Sequence, residues 1–147
     1  MRKLFYLVPI SCALVAGTLC QTQSAQYAQP RIIELTAGRD SRYREGRKVA
    51  PIIEVRAGER LILRITAVRA ETVARDGSVH GLALLDKNSE AVPGWKFLLR
   101  PGLQDLAVSA PAQPGRYSAV CTVICSDGHE GMGFTLLVAE LASENKE

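Results

Sequence analysis

The chain has 147 residues, of which 47% are hydrophobic and 22% charged, an ordinary globular composition sized for one small domain. A formal net charge of +3 is too mild to argue for nucleic-acid binding. Aromatics make up only 5%, so a core must be built mainly from Leu, Ile, Val and Ala.

Residues 1–25 read as an export signal or N-terminal membrane anchor. Arg2 and Lys3 form a basic start, and Leu4 to Leu19 is an apolar run broken only by Pro9, Ser11 and Thr18. Three fates stay open: cleavage after Ser24, retention as a single anchor, or lipidation at Cys20. The run is shorter than the ~20 residues of a usual spanning helix. All three fates put the remainder in the periplasm or on the extracytoplasmic membrane face. Cleavage also removes Cys12 and Cys20, leaving Cys121 and Cys125 as the only cysteines.

Residues 26–49 comprise a Gln-rich linker, a candidate first strand over residues 31–37 and a basic loop. That loop, Gly38 to Lys48, carries five positive and two negative side chains. It reads as a solvated face or as a docking patch for an acidic redox partner. Residues 50–140 then follow a period of two, the β signature. Ile53, Val55 and Ala57 share one face, and Leu61, Leu63 and Ile65 share another, with Ile62 the exception. His80, Leu82 and Leu84 form a third row. Val92-Pro-Gly-Trp95 is expected to break the chain, Leu106 and Val108 mark a strand, and Ala112 to Gly115 is a turn. Tyr117, Ala119 and Cys121 alternate inward, as do Met132, Phe134, Leu136 and Val138. Short alternating strands with Gly/Pro turns predict an all-β antiparallel sandwich. Residues 141–147 form a charged tail.

The chemistry concentrates in Cys121-Thr-Val-Ile-Cys125-Ser-Asp-Gly-His129-Glu-Gly-Met132, a C-x3-C-x3-H-x2-M pattern. His80 is the only other histidine. Thiolates, imidazoles and a thioether select copper or zinc over hard cations. Other readings of the same residues are a Cys121–Cys125 disulfide, a Cys2His2 zinc site, a mononuclear blue-copper site, and Met132 as core filling. A blue-copper site needs two histidines, one cysteine and a weak axial methionine, so one cysteine would lack a role.

These residues resemble the CuA-binding cupredoxin domain of haem-copper oxidase subunit II and of the C-terminal end of nitrous-oxide reductases, over roughly residues 50 to 139. The resemblance implies a cupredoxin-like Greek-key β-sandwich holding a dinuclear copper centre. It implies bridging thiolates from Cys121 and Cys125, imidazoles from His80 and His129, a thioether from Met132 and a carbonyl from Val123. The oxidase pattern has Glu where this chain has Val123, and Gly where it has Ser126. It also has an aromatic cluster ahead of the domain, where this chain has only Trp95, placed elsewhere, and a two-helix membrane hairpin. The functional expectation is an exported electron-transfer protein. Its partner is a redox protein, either a cytochrome or an oxidase or reductase subunit, and the N-terminus offers a membrane association. A minimal oxidase subunit II and a periplasmic copper carrier or sensor are the alternatives. No nucleophile–base pair suggests catalysis by the chain alone.

Overall fold

The computed structural model describes residues 29–140. The expected export signal or anchor and the tail from 141 lie outside the described residues. Within them the strands are β1 (Arg31–Ala37), β2 (Tyr43–Glu45), β3 (Lys48–Val49), β4 (Ile52–Arg56), β5 (Arg60–Ala67), β6 (His80–Leu85), β7 (Ala91–Leu99), β8 (Gly102–Ser109), β9 (Gly115–Val120) and β10 (Gly133–Ala139). They form two five-stranded sheets, ordered β3-β2-β1-β5-β8 and β4-β10-β9-β6-β7.

The inward rows expected from the sequence supply the core between the sheets. Leu61, Leu63 and Ile65 of β5 are buried, as are Ile53 and Val55 of β4 and Phe134, Leu136 and Val138 of β10. Ile62, the exception to the alternation, is half-buried on the opposite face of β5. Leu82 and Leu84 pack from β6, which lies between β9 and β7.

The chain crosses repeatedly between the sheets, so some pairings are parallel. β1 pairs parallel with β5 and β4 parallel with β10, whereas every other pairing among the described strands is antiparallel. β1 therefore sits at the centre of the first sheet, and residues 31–49 fold together with the rest.

Two expectations need correction. Val92-Pro-Gly-Trp95 does not break the chain but lies inside β7. The register with β6 jumps there, from Ala83↔Lys96 to Leu85↔Ala91, so the extra residues bulge out. An edge strand tolerates this, because Pro93 lacks an N–H to donate and Gly94, at φ +79°, takes the left-handed turn. Trp95 is buried within the bulged segment, and its Nε1–H donates to the Ser109 carbonyl at 2.8 Å, tying β7 to β8 of the opposite sheet. The basic loop is also more than a solvated face. Ser41 and Tyr43 are buried within it, and Arg44 is paired with Asp40. Among the described residues no helix is long and apolar enough to cross a membrane.

Leu63 is 0% exposed and Leu103 is 65% exposed, on the paired strands β5 and β8. Leu63→Ala is expected to cost about 3 kcal/mol through lost burial and the cavity left behind. Leu103→Ala should stay within about 0.5 kcal/mol. Urea unfolding of the two variants checks the contrast.

Candidate metal centre

β9 and β10 are consecutive antiparallel strands, and the cysteine loop is their connection. Its mouth is closed by the Cys121 N–H donating to the Met132 carbonyl at 3.0 Å. Inside, residues 126–132 wind into a short 3-10 turn over His129–Gly131, with the His129 N–H on the Ser126 carbonyl at 3.2 Å and the Met132 N–H on the His129 carbonyl at 2.9 Å. The middle of the loop is held from outside by Thr72. Its N–H donates to the Cys125 carbonyl at 3.0 Å, and its hydroxyl to the Ile124 carbonyl. The thiols are thus positioned by strand ends and by the β5–β6 connection together.

β6 approaches this loop closely at Gly81. A Cβ built there would sit 2.1 Å from Thr122 Oγ1 and 3.0 Å from the Thr122 nitrogen, so only glycine fits without a shift. The approach brings the Gly81 N–H to 3.4 Å from Cys121 Sγ, and the Gly81 carbonyl accepts the buried Tyr43 hydroxyl.

His80, one residue earlier, is fully buried. Its Nε2 lies 2.9 Å from the Val68 carbonyl. A carbonyl only accepts, so Nε2 carries the proton and Nδ1 presents its lone pair. That Nδ1 is buried with no hydrogen-bond partner. Burial lowers the His80 pKa, outweighing the opposing bond to Val68, and so favours the neutral ring that a metal requires. The ligating atoms of His80, Cys121 and Cys125 all lie within 4.8 Å of one another. The two sulfurs are unbonded and 3.9 Å apart. Burial pushes the Cys121 thiol above its ordinary range; the Gly81 N–H opposes this and the neighbouring Cys125 adds to it.

The remaining expected donors fall into two groups. The Val123 carbonyl lies 3.2 Å from Cys121 Sγ, and Met132 is buried and joined to Cys121 through the backbone. His129 is not in the close group of three donors: it is half-buried on the 3-10 turn, with Nδ1 3.1 Å from the Ser126 carbonyl.

Three residues with a part in the geometry were not singled out by sequence reasoning. Gly81 carried a signal, since an isolated glycine inside a strand pattern marks close backbone approach. Thr72 carried none. Ser41 carried none either, being one polar residue among arginines, yet its Oγ lies 3.3 Å from Cys125 Sγ.

No protein-family model matches the chain, and no curated protein matches it in sequence. Solved structures do resemble it. A chain of a haem-copper terminal oxidase dimer, determined by cryo-electron microscopy, aligns with a TM-score of 0.51 at 17% identity, covering 88% of this chain and 78% of that one. A methionine-to-leucine variant of rusticyanin aligns at 0.50 and 14% identity, covering 76% and 79%. The fold is a cupredoxin-like β-sandwich.

Gly81→Ala is expected to push Thr122 away and destabilise the protein by about 1–3 kcal/mol, the usual range for overpacking. Adding Thr122→Ala removes the 2.1 Å collision and should restore part of that loss. Thermal unfolding of the single and double variants measures both effects.

Proposed function

We propose that this chain is an exported copper protein that carries single electrons through a dinuclear centre. The observation that supports it most is the bare, buried Nδ1 of His80 beside two unbonded thiols. A buried polar atom without a partner is uncommon and calls for an explanation. Here the Val68 carbonyl fixes the tautomer that leaves Nδ1 free, the usual arrangement behind a metal-ligating histidine.

The donor set fits copper. Sulfurs 3.9 Å apart are both within reach of one ion, since metal–sulfur bonds are about 2.3 Å and two of them span up to about 4.6 Å. Cys121, Cys125, His80, His129, Met132 and the Val123 carbonyl offer six donors, more than one four-coordinate ion uses. Bound there, the copper pair supplies a single-electron redox couple. The protein's part is to surrender both thiol protons on binding, to keep His80 in one tautomer and to hold the donors on strand ends. The Ser126 carbonyl accepts the His129 Nδ1 proton and leaves Nε2 as the free nitrogen; for it to join, the ring must move toward the other three donors.

A redox partner is proposed to dock over the loop tip. Ile124, between the cysteines, is 73% exposed, and Val73 and Leu98 beside it are exposed as well, an apolar collar next to the thiols. The likeness to an oxidase chain favours a second reading, a subunit of a haem-copper oxidase. Co-purification with a haem-bearing subunit separates that reading from an independent carrier. The N-terminal 25 residues are proposed to direct export to the periplasm or the outer face of a membrane.

The chain reconstituted with copper under mild reduction is expected to bind two coppers and turn purple, with one unpaired electron shared over both nuclei. One copper with a blue mononuclear spectrum, a preference for zinc, or a stable Cys121–Cys125 disulfide each overturns the dinuclear assignment. Easy loss of copper to a chelator with slow electron exchange would instead indicate a copper carrier or sensor.

Among single substitutions, Cys121→Ser or Cys125→Ser is expected to abolish the dinuclear spectrum, because a hydroxyl is too hard and too weakly acidic to replace a bridging thiolate. Met132→Leu should retain copper with an altered potential. Metal content and electron paramagnetic resonance rank the three variants.

A further inference from the structure

We propose that Ser41, on the β1–β2 loop and distant in sequence from every expected ligand, is a positioning residue that orients the Cys125 sulfur through a chain of hydroxyls anchored on the turn that carries His129. The proposal deepens the copper reading and rests on it.

The geometry is a line of four groups. The Gly128 N–H donates to Ser126 Oγ at 3.2 Å, Ser126 Oγ lies 2.6 Å from Ser41 Oγ, and Ser41 Oγ lies 3.3 Å from Cys125 Sγ. Each hydroxyl has one proton to give. Ser41 can donate its proton to the Cys125 sulfur. Ser41 then needs its second bond as an acceptor, and Ser126 supplies that proton. Ser126 in turn accepts from Gly128. In this sense the two hydroxyls connect the backbone of the turn that carries His129 to the sulfur.

Other features hold Ser41 in place. It is fully buried, and its backbone sits at φ +54°, a left-handed conformation disfavoured for a residue bearing a Cβ. Its N–H donates to the Gly38 carbonyl at 3.1 Å. The Arg42 guanidinium next door spans the Ser41 carbonyl at 3.1 Å and the Gly128 carbonyl at 3.5 Å, fastening the loop to the metal turn. Strain kept at a site is a reason to look for function there. Each sulfur also has a polar neighbour: the Gly81 N–H donates to Cys121, and the Ser41 hydroxyl lies against Cys125. A donor on a thiolate draws charge from the sulfur, which weakens its donation to the metal and favours the reduced state.

The test uses the full chain with Ser41→Ala and Ser41→Gly. Both remove the hydroxyl, but glycine also relieves the left-handed backbone, so the pair separates hydrogen bonding from conformation. In metal-free protein, both variants should exchange the Gly128 amide several-fold faster than wild type, because the Ser126 hydroxyl is no longer fixed. Loaded with copper(I), both should lose the metal to a competing chelator about tenfold more readily, within the range for removing a ligand's outer partner. Both should show a lower reduction potential. If Ser41→Gly behaves as wild type while Ser41→Ala does not, backbone conformation is what matters and the proposal is overturned. Unchanged Gly128 exchange in both variants also overturns it. If wild type itself retains no copper, the copper reading fails, and amide exchange still decides whether Ser41 orders the turn.

Discussion

Three segments remote in sequence meet at the backbone of Gly81. Its N–H points at Cys121 Sγ, its carbonyl takes the Tyr43 hydroxyl, and its missing Cβ leaves room for Thr122. A side chain there would separate β6 from the cysteine loop, and His80 would move with β6. The distance between the imidazole and the thiols is therefore set by an absent methyl group rather than by a bond. Tyr43 adds to the constraint from the other sheet. Its ring packs edge-on against Phe134, with centroids 5.4 Å apart, so the loop between β1 and β2 is fixed against the strand that leaves the metal loop.

The energetic balance around His80 follows from that constraint. Leaving a buried nitrogen without a partner costs about 1–3 kcal/mol, which folding must offset elsewhere. The surrounding core is large enough to do so: Leu61, Leu63, Ile65, Leu82, Leu84 and Leu136 are all essentially inaccessible to solvent. The two thiols carry a smaller burden, since each has a polar neighbour even without a metal. The site is thus a local departure from good polar pairing inside a well-packed sandwich, and such departures are where function is expected.

Period-two alternation made the strands legible, because one face of each must be buried and a slip by one residue would expose it. His80, Cys121 and Cys125 were legible for a chemical reason: soft donors are scarce in this chain, and these fall at the start of one strand and in the loop that follows another. What stayed hidden depends on contacts that no local pattern encodes. The parallel pairing of β1 with β5 arises from crossings between sheets. The β7 bulge resembled a chain break, since Pro93 and Gly94 are breakers everywhere except on a tolerant edge. Ser41 was masked by its arginine neighbours. A loop composition rich in charge says that most side chains reach water, not that all of them do.

The donors also differ in how firmly they are held. His80 begins a strand, Cys121 follows the end of another, and Cys125 is tethered by Thr72 and adjoined by Ser41. Those three are fixed by elements on several sides. His129 rides on a single 3-10 turn with no buried residue of its own, kept in place by Ser126. On the copper reading, this division has a physical consequence. Three donors are preset by the sandwich and need little rearrangement, which suits electron transfer. The fourth, His129, is half-buried on a turn held by few contacts, so it is the donor free to adjust. A frame that was rigid throughout would leave no way in, and one that was loose throughout would reorganise at every change of charge. The contrast between strand-held and turn-held donors satisfies both demands within one short loop.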